Sequence, residues 1–238
     1  MPPRPTLPEI VVLTGAGLSA ESGLGTFRDR DGLWTRYDLD DVATPQGFAR
    51  NPALVHDFYN ARRANCLSAA PNPAHAALAR LSRALGDRVM LVTQNIDDLL
   101  ERSGATGVVH MHGELLRALC HACGHRWDAP TVMAPHDPCP ACRRAATRPD
   151  VVWFGEYPYH MERITAALAV CEAFVAIGTS GNVYPAAEFV QEAAAAGART
   201  LELNLEPSEL ALNFDEARQG PASRIVPDWV AEVLAAQG

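Results

Sequence analysis

Cys120, Cys123, Cys139 and Cys142 form two Cys-x-x-Cys pairs, with fifteen residues between Cys123 and Cys139. That spacing suits four thiolates around one tetrahedral zinc ion, a closed structural site with no position left for a substrate. A redox reading competes, because Cys139-Pro-Ala-Cys142 has the form of a dithiol–disulfide motif. Two matched pairs favour the metal, and His121 and His125 are near enough in sequence to compete as ligands. Cys66 and Cys171 stand singly in helix-like contexts.

A second chemistry lies in Gly15-Ala16-Gly17-Leu18-Ser19-Ala20, directly after an apolar run. Glycines at this position let backbone N–H groups and a helix N-terminus approach a pyrophosphate. An ordinary nicotinamide dehydrogenase would carry an acidic residue ending a second strand about 20 positions on. Asp38, Asp40 and Asp41 instead sit in a loop-like stretch, which disfavours that class. The segment runs on through Phe27 and Arg28 to Trp34, residues able to close over a cofactor. Gln94-Asn95-Ile96-Asp97 offers two amides and a carboxylate for ribose hydroxyls and a carboxamide, although Asp97 could equally cap a helix. In His110-Met111-His112, an imidazole of ordinary pKa suits a general base at neutral pH.

These residues need a frame. Apolar runs at 9–14, 88–93, 151–154, 173–177 and 200–203 have the length of strands buried on both faces of a sheet. Helical patterns at 161–170 and 185–196 lie between them, so an α/β fold with a Rossmann-like parallel sheet is expected. Two segments interrupt the rhythm. Residues 38–84 carry helix signals, including Asn51-Pro52 and Asn72-Pro73 starts, and 119–149 holds the paired cysteines. The reading is a large domain of 1–37, 85–118 and 150–238, with a small domain of helical insertion 38–84 and zinc ribbon 119–149.

The chain of 238 residues has 48% hydrophobic and 20% charged residues, ordinary for a globular protein. A net charge of −8 argues against direct nucleic-acid binding. No run approaches the ~18 apolar residues of a membrane helix, and no secretory h-region is present. A cytoplasmic protein is expected. A monomer is compatible with the sequence, which fixes no oligomeric state.

The order of GAGLSAESG (15–23), TFR (26–28), QNID (94–97), HMHGE (110–114), WFGE (153–156), GTSGNVYP (178–185) and NLEP (204–207) resembles the sirtuin signature over about residues 9–235. The resemblance implies an NAD-dependent protein-lysine deacylase whose products are free lysine, nicotinamide and O-acyl-ADP-ribose. Its partner would be acylated lysine in proteins. Catalysis would fall to His112 as base, with Asn95 and Asp97 around nicotinamide and ribose. Cofactor contacts would come from Gly15, Ala16, Gly17, Ser19, Phe27, Arg28, Trp34, Gln94 and Ile96. Gly178, Thr179 and Ser180 would form a phosphate and ribose loop, with Asn204, Leu205, Glu206 and Ala222 near the adenosine. Val152, Phe154, Gly155 and Glu156 would lie on a strand that pairs with substrate backbone. Leu18, Leu24 and Leu100 depart mildly from the family pattern. Mono-ADP-ribosyl transfer and a non-enzymatic NAD-sensing zinc adaptor are the alternatives.

Tyr59 and Arg62 are three residues apart in an expected helix, so both can face one cavity. The pair resembles the Tyr-x-x-Arg of the succinyl-, malonyl- and glutaryl-lysine branch. An Arg fork and a phenol can bind a terminal carboxylate in an otherwise apolar channel. The plainer alternative is a solvated basic face made by Arg62 and Arg63.

Overall fold

The computed structural model describes residues 8–25 and 37–236. Phe27, Arg28 and Trp34 lie outside the described residues.

Strand β1 (Ile10–Thr14) pairs in parallel with β2 (Val89–Thr93) on one side and with a strand at Ala173–Ile177 on the other. Numbered in chain order the strands are β3 (Val109–His110), β4 (Gly113–Cys120), β5 (Arg126–Asp128), β6 (Thr147–Val151), β7 (Ala173–Ile177), β8 (Arg199–Asn204) and β9 (Glu216–Gln219). The main sheet has the order β3-β2-β1-β7-β8-β9, all parallel. Side chains alternate along each strand, so β1, β2 and β7 each feed two cores. Ile10, Val12, Leu91, Val175, Ile177 and Leu203 face α5 (Pro73–Leu85) and α9 (Ala222–Ala235). Val11, Leu13, Val92, Phe174 and Ala176 face α7 (Met161–Leu168) and α8 (Phe189–Ala195). Both faces are covered, as continuous apolar strands require.

Helix α4 (Pro52–Ser68) starts where Asn51 accepts the Leu54 N–H and Pro52 occupies the first turn. Such a cap contributes about 1 kcal/mol. Its buried face carries Val55, Phe58 and Tyr59, which join Val42, Leu115, Val151 and Trp153 in a separate small core. Strands β5-β4-β6 form an antiparallel sheet. That sheet reaches beyond 119–149 at both ends, since β4 begins at Gly113 and β6 ends at Val151.

Two expectations need correction. The run Val151–Phe154 is not a strand of the parallel sheet: pairing takes Thr147–Val151, antiparallel to β4, and Trp153 packs into the small core. Helix α5 falls in the 38–84 segment except for its last residue, yet packs under the main sheet, because Leu78, Leu81 and Leu85 form a stripe facing β1, β2 and α9. The helical content of 38–84 itself is as expected, with α2 (Leu39–Val42) and α3 (Pro45–Arg50) preceding α4.

Candidate active site

The chain runs outward from β1 to β2 and β3 in one direction and from β7 to β8 and β9 in the other, so the sheet reverses between β1 and β7. Ligands of such sheets bind at the carboxyl ends of the strands beside that switch point. The expected cofactor residues within the described chain cluster there: Gly15–Ser19 follow β1, Gln94–Asp97 follow β2, Gly178–Ser180 follow β7, and Asn204–Glu206 close β8.

The glycines serve a closer purpose than expected. Gly15 N–H donates to the Ile177 carbonyl and Gly17 N–H to the Gly178 carbonyl, both at 2.9 Å. A Cβ on Gly17 would stand 2.7 Å from Gly178 Cα, and Gly178 itself has φ +61°. The glycines thus let two loops touch backbone to backbone, and the amides of Gly15 and Gly17 are spent inside the protein. Further out, Asn204 Nδ2 donates to the Thr179 carbonyl at 2.7 Å. The Gly220 N–H reaches the Asn204 carbonyl at 3.0 Å, bringing the turn before Ala222 to the same edge. Leu205 and Glu206 are exposed at its rim.

The segments 94–97 and 110–115 are zipped together. Met111 N–H donates to the Thr93 carbonyl at 3.1 Å and Leu115 N–H to the Ile96 carbonyl at 2.8 Å. His112 Nδ1 stands 3.1 Å from the Gln94 carbonyl, which can only accept, so Nδ1 carries the proton and Nε2 keeps its lone pair. Burial holds the His112 pKa below the usual histidine value despite that bond, leaving a neutral, oriented base. Gly113 follows with φ +82°, and a Cβ there would stand 2.2 Å from the Asp150 carbonyl, so the turn that presents His112 requires glycine.

His110 behaves differently. Its Nε2 meets Glu101 Oε1 at 2.8 Å and its Nδ1 the Asn95 carbonyl at 3.3 Å. Burial opposes its charge, but the bond to Glu101, the charges of Glu101 and Glu114 and the Asn95 carbonyl together overcome it, and the pKa rises. Among the described residues, the four paired cysteines alone are grouped to hold a metal ion.

Asp97 is held by a network that sequence motifs did not reveal. Ser19 Oγ donates to Asp97 Oδ2 at 3.0 Å, and Asn95 Nδ2 donates to Ser19 Oγ at 3.2 Å and to the Gly15 carbonyl at 3.1 Å. Behind Ser19 sits fully buried His75, whose Nε2 is 3.3 Å from Ser19 Oγ. Its Nδ1 accepts the Asn72 N–H, which fixes the proton on Nε2. Burial pushes the His75 pKa down to about 4, so the ring stays neutral. The only sequence signal was the Asn72-Pro73 helix start; His75 completes that cap and points its other edge into the site. Burial raises the Asp97 pKa, against the bonds from Leu99 N–H and Ser19.

On α4, Tyr59 and Arg62 do come together. The Arg62 guanidinium lies 6.0 Å from the Tyr59 ring centroid and 5.7 Å from that of Phe58. Burial lowers the Arg62 pKa, and the nearby Tyr59 and Asp97 oppose the shift; Ile96, next to Asp97, packs against the small core that holds Phe58 and Tyr59. Arg63 is not a solvated partner: it is fully buried, its Nε donating to the Leu115 carbonyl at 3.1 Å and its Nη1 to Asn60 Oδ1 at 2.8 Å. It fastens α4 to β4. The 152–156 loop turns its polar groups inward. Val152 N–H donates to the His112 carbonyl and Phe154 N–H to the Ala43 carbonyl, while Glu156 binds Arg148 through both oxygens. Phe154 and Gly155 remain exposed.

The four cysteine sulfurs lie within 4.8 Å of one another. Cys120–Cys142 and Cys123–Cys139 are 3.6 and 3.8 Å apart, linking the two motifs crosswise. A tetrahedron with metal–sulfur bonds of about 2.3 Å has edges of about 3.8 Å, so the set fits one zinc ion better than two separate dithiols. Such an ion would crosslink β4 to the 139–142 turn.

Fold and crevice define a Rossmann-type α/β enzyme carrying a four-cysteine ribbon, and the comparisons with known proteins agree. The Sir2 family profile matches residues 15–185. The NAD-dependent protein deacylase of Caulobacter vibrioides is 58% identical over 231 residues, 95% of this chain and 97% of that protein. The protein of the same name from Escherichia coli strain K12 is 55% identical over 230 residues, 95% of this chain and 82% of its own. A solved Sir2 homologue bound to NAD superposes with a TM-score of 0.87 at 36% identity, covering 96% of this chain and 90% of that one. The chain belongs to the Sir2 family. Among the described residues, no helix is long and apolar enough to cross a membrane.

Proposed function

We propose that this Sir2-family enzyme is an NAD-dependent protein-lysine deacylase that favours acyl groups ending in a carboxylate, succinyl and malonyl above acetyl. The products would be free lysine, nicotinamide and O-acyl-ADP-ribose, and the cytoplasm the site of action. The single observation that carries the acyl preference is the Tyr59–Arg62 pair on one turn of α4, with a guanidinium half-buried beside the cofactor crevice. A buried carboxylate needs a paired cation and a hydrogen-bond donor, and this wall offers both.

NAD would be held by the Gly15–Ser19 turn, Gln94–Asp97, Gly178–Ser180, Asn204–Glu206 and Ala222. The donor set suits it: amides for a carboxamide, carboxylates and hydroxyls for riboses. His112 would take a ribose hydroxyl proton on its free Nε2 while Asn95 and Asp97 orient the nicotinamide end. Phe154 and Gly155 would border the substrate chain. The four thiolates would hold a structural zinc ion.

The test is nicotinamide release from NAD with matched acetyl- and succinyl-lysine peptides. Arg62→Met should lower kcat/KM on the succinyl peptide about 100-fold and on the acetyl peptide less than about threefold, the scale of a lost charge-assisted bidentate contact. His112→Ala should lower both by about 1,000-fold. Equal losses with Arg62→Met would refute the acyl assignment, and release that ignores His112 would refute the base.

A further inference from the structure

Across the acyl wall, Trp153 Nε1–H donates to Tyr59 Oη at 3.0 Å, joining residues 94 positions apart. Both side chains are 3% exposed, so neither exchanges this bond readily for water. An indole N–H is a donor only. The phenol oxygen is therefore the acceptor, and its own proton is left for another group. Among the described residues, none takes it. A hydroxyl that accepts one hydrogen bond gives a stronger one in return and loses rotor freedom.

The indole cannot swing away. The Arg148 guanidinium lies 3.4 Å from the Trp153 ring centroid, close cation–π contact, and bonds both Glu156 oxygens at 2.7 and 2.8 Å. A third bond runs from Arg148 Nη2 to the Val151 carbonyl at 2.7 Å. Glu156 in turn accepts the Trp153 backbone N–H at 2.9 Å, and the Phe48 ring packs at 5.1 Å from the indole. The exposed loop that follows Trp153 and the buried acyl pocket are thus one connected network.

We propose that Trp153 is a positioning residue for acyl selectivity: its N–H fixes Tyr59 as a donor, which tunes the pocket for an acyl group ending in an anionic acceptor. This rests on the preference for acidic acyl groups stated above. An acyl group ending in a methyl offers no acceptor, so the hydrogen bond contributes nothing to its turnover. Trp153 itself is buried and touches Tyr59, not the acyl group.

The experiment measures kcat and KM on matched succinyl- and acetyl-lysine peptides for the wild type, Trp153→Phe, Tyr59→Phe and the double variant. Trp153→Phe should lower the succinyl-to-acetyl ratio of kcat/KM about five- to tenfold, mostly through KM, the size of one net hydrogen bond. In the Tyr59→Phe background the same change should move the ratio less than about twofold, since the partner is gone. Trp153→Phe also opens space in the small core, so a second variant carries β-(3-benzothienyl)alanine at 153, which keeps the bicycle and deletes only the N–H. The same fall in ratio is expected. A wild type that favours succinyl, with a ratio unchanged by loss of the N–H, overturns this inference alone. A Trp153→Phe effect undiminished without the Tyr59 hydroxyl does so too. A wild type with no succinyl preference overturns the acyl reading and this inference together.

Discussion

The crevice proposed for the cofactor and the wall proposed for the acyl group are built by different means. The crevice is made of short polar residues at the ends of parallel strands, where Gln94–Asp97 and His110–Leu115 are tied by backbone bonds. The main sheet holds it, with a core on each face. The proposed acyl wall is made of long side chains from distant segments: Tyr59 and Arg62 on α4, Arg148 on β6, Trp153 and Glu156 beyond it. It hangs on the ribbon, because buried Arg63 binds the Leu115 carbonyl and Asn60 meets the Met133 backbone. Cofactor binding should therefore be robust, and acyl recognition should depend on whatever holds the ribbon.

Removing the zinc ion proposed for the four cysteines should give the largest separation of the two regions. The core of the ribbon is Cys120, Cys139 and Ala146 with Trp127 and Cys142 against them, too small to fold without a crosslink. Chelation, or Cys123→Ser, should take deacylation of both peptides below detection, a fall of more than about 1,000-fold, as the acyl wall loses its support. ADP-ribose binding, followed by calorimetry, should weaken by less than about tenfold. Loss of ADP-ribose binding to the same extent would mean that the regions fold as one.

The two regions also differ in how far they can be read from sequence. The crevice lies in contiguous strings; its strands at 10–14, 89–93 and 173–177 are apolar runs, and 199–204 alternates around Leu201 and Leu203, so the pattern speaks plainly. Strand β9 is silent because Glu216-Ala-Arg-Gln219 is a mostly exposed edge with no apolar run. In β4, Leu115, Leu116 and Leu119 are spaced as on a helix, and only pairing with β5 and β6 makes the segment a strand. The Val151–Phe154 run is apolar because it fills the small core, not because it joins the main sheet. Partnerships are harder still: Ser19–His75 and Tyr59–Trp153 span 56 and 94 residues, and spacing carries no record of which distant side chain arrives alongside.

A smaller effect sharpens the same contrast from the cofactor side. Ser19→Ala removes the donor to Asp97 and strands the His75 Nε2–H in a buried setting. The expected cost is about 1–3 kcal/mol in stability and about tenfold in kcat/KM for NAD. Both peptides should suffer alike, because the acyl wall makes no use of Ser19. A loss confined to the succinyl peptide would show that the crevice and the wall are coupled through Asp97 and Arg62.

The smallest effect concerns pH and separates two histidines only two residues apart. Burial lowers the His112 pKa, whereas the bond to Glu101 raises that of His110. If His112 is the base, the acid limb of kcat/KM should have its midpoint below 6.5, since activity is lost only when a base with a lowered pKa is protonated. Glu101→Gln should leave that midpoint within about 0.3 unit, because His112 is held by the Gln94 carbonyl instead. Its stability cost has the opposite signature. A raised histidine pKa contributes stability that is full below about 6.5 and fades as pH rises through the folded value. Glu101→Gln should thus destabilise the protein by less than about 1 kcal/mol at pH 6, the partly exposed carboxylate being screened by solvent, and by less at pH 9. An acid limb that moves with Glu101 would transfer the base from His112 to the His110–Glu101 pair.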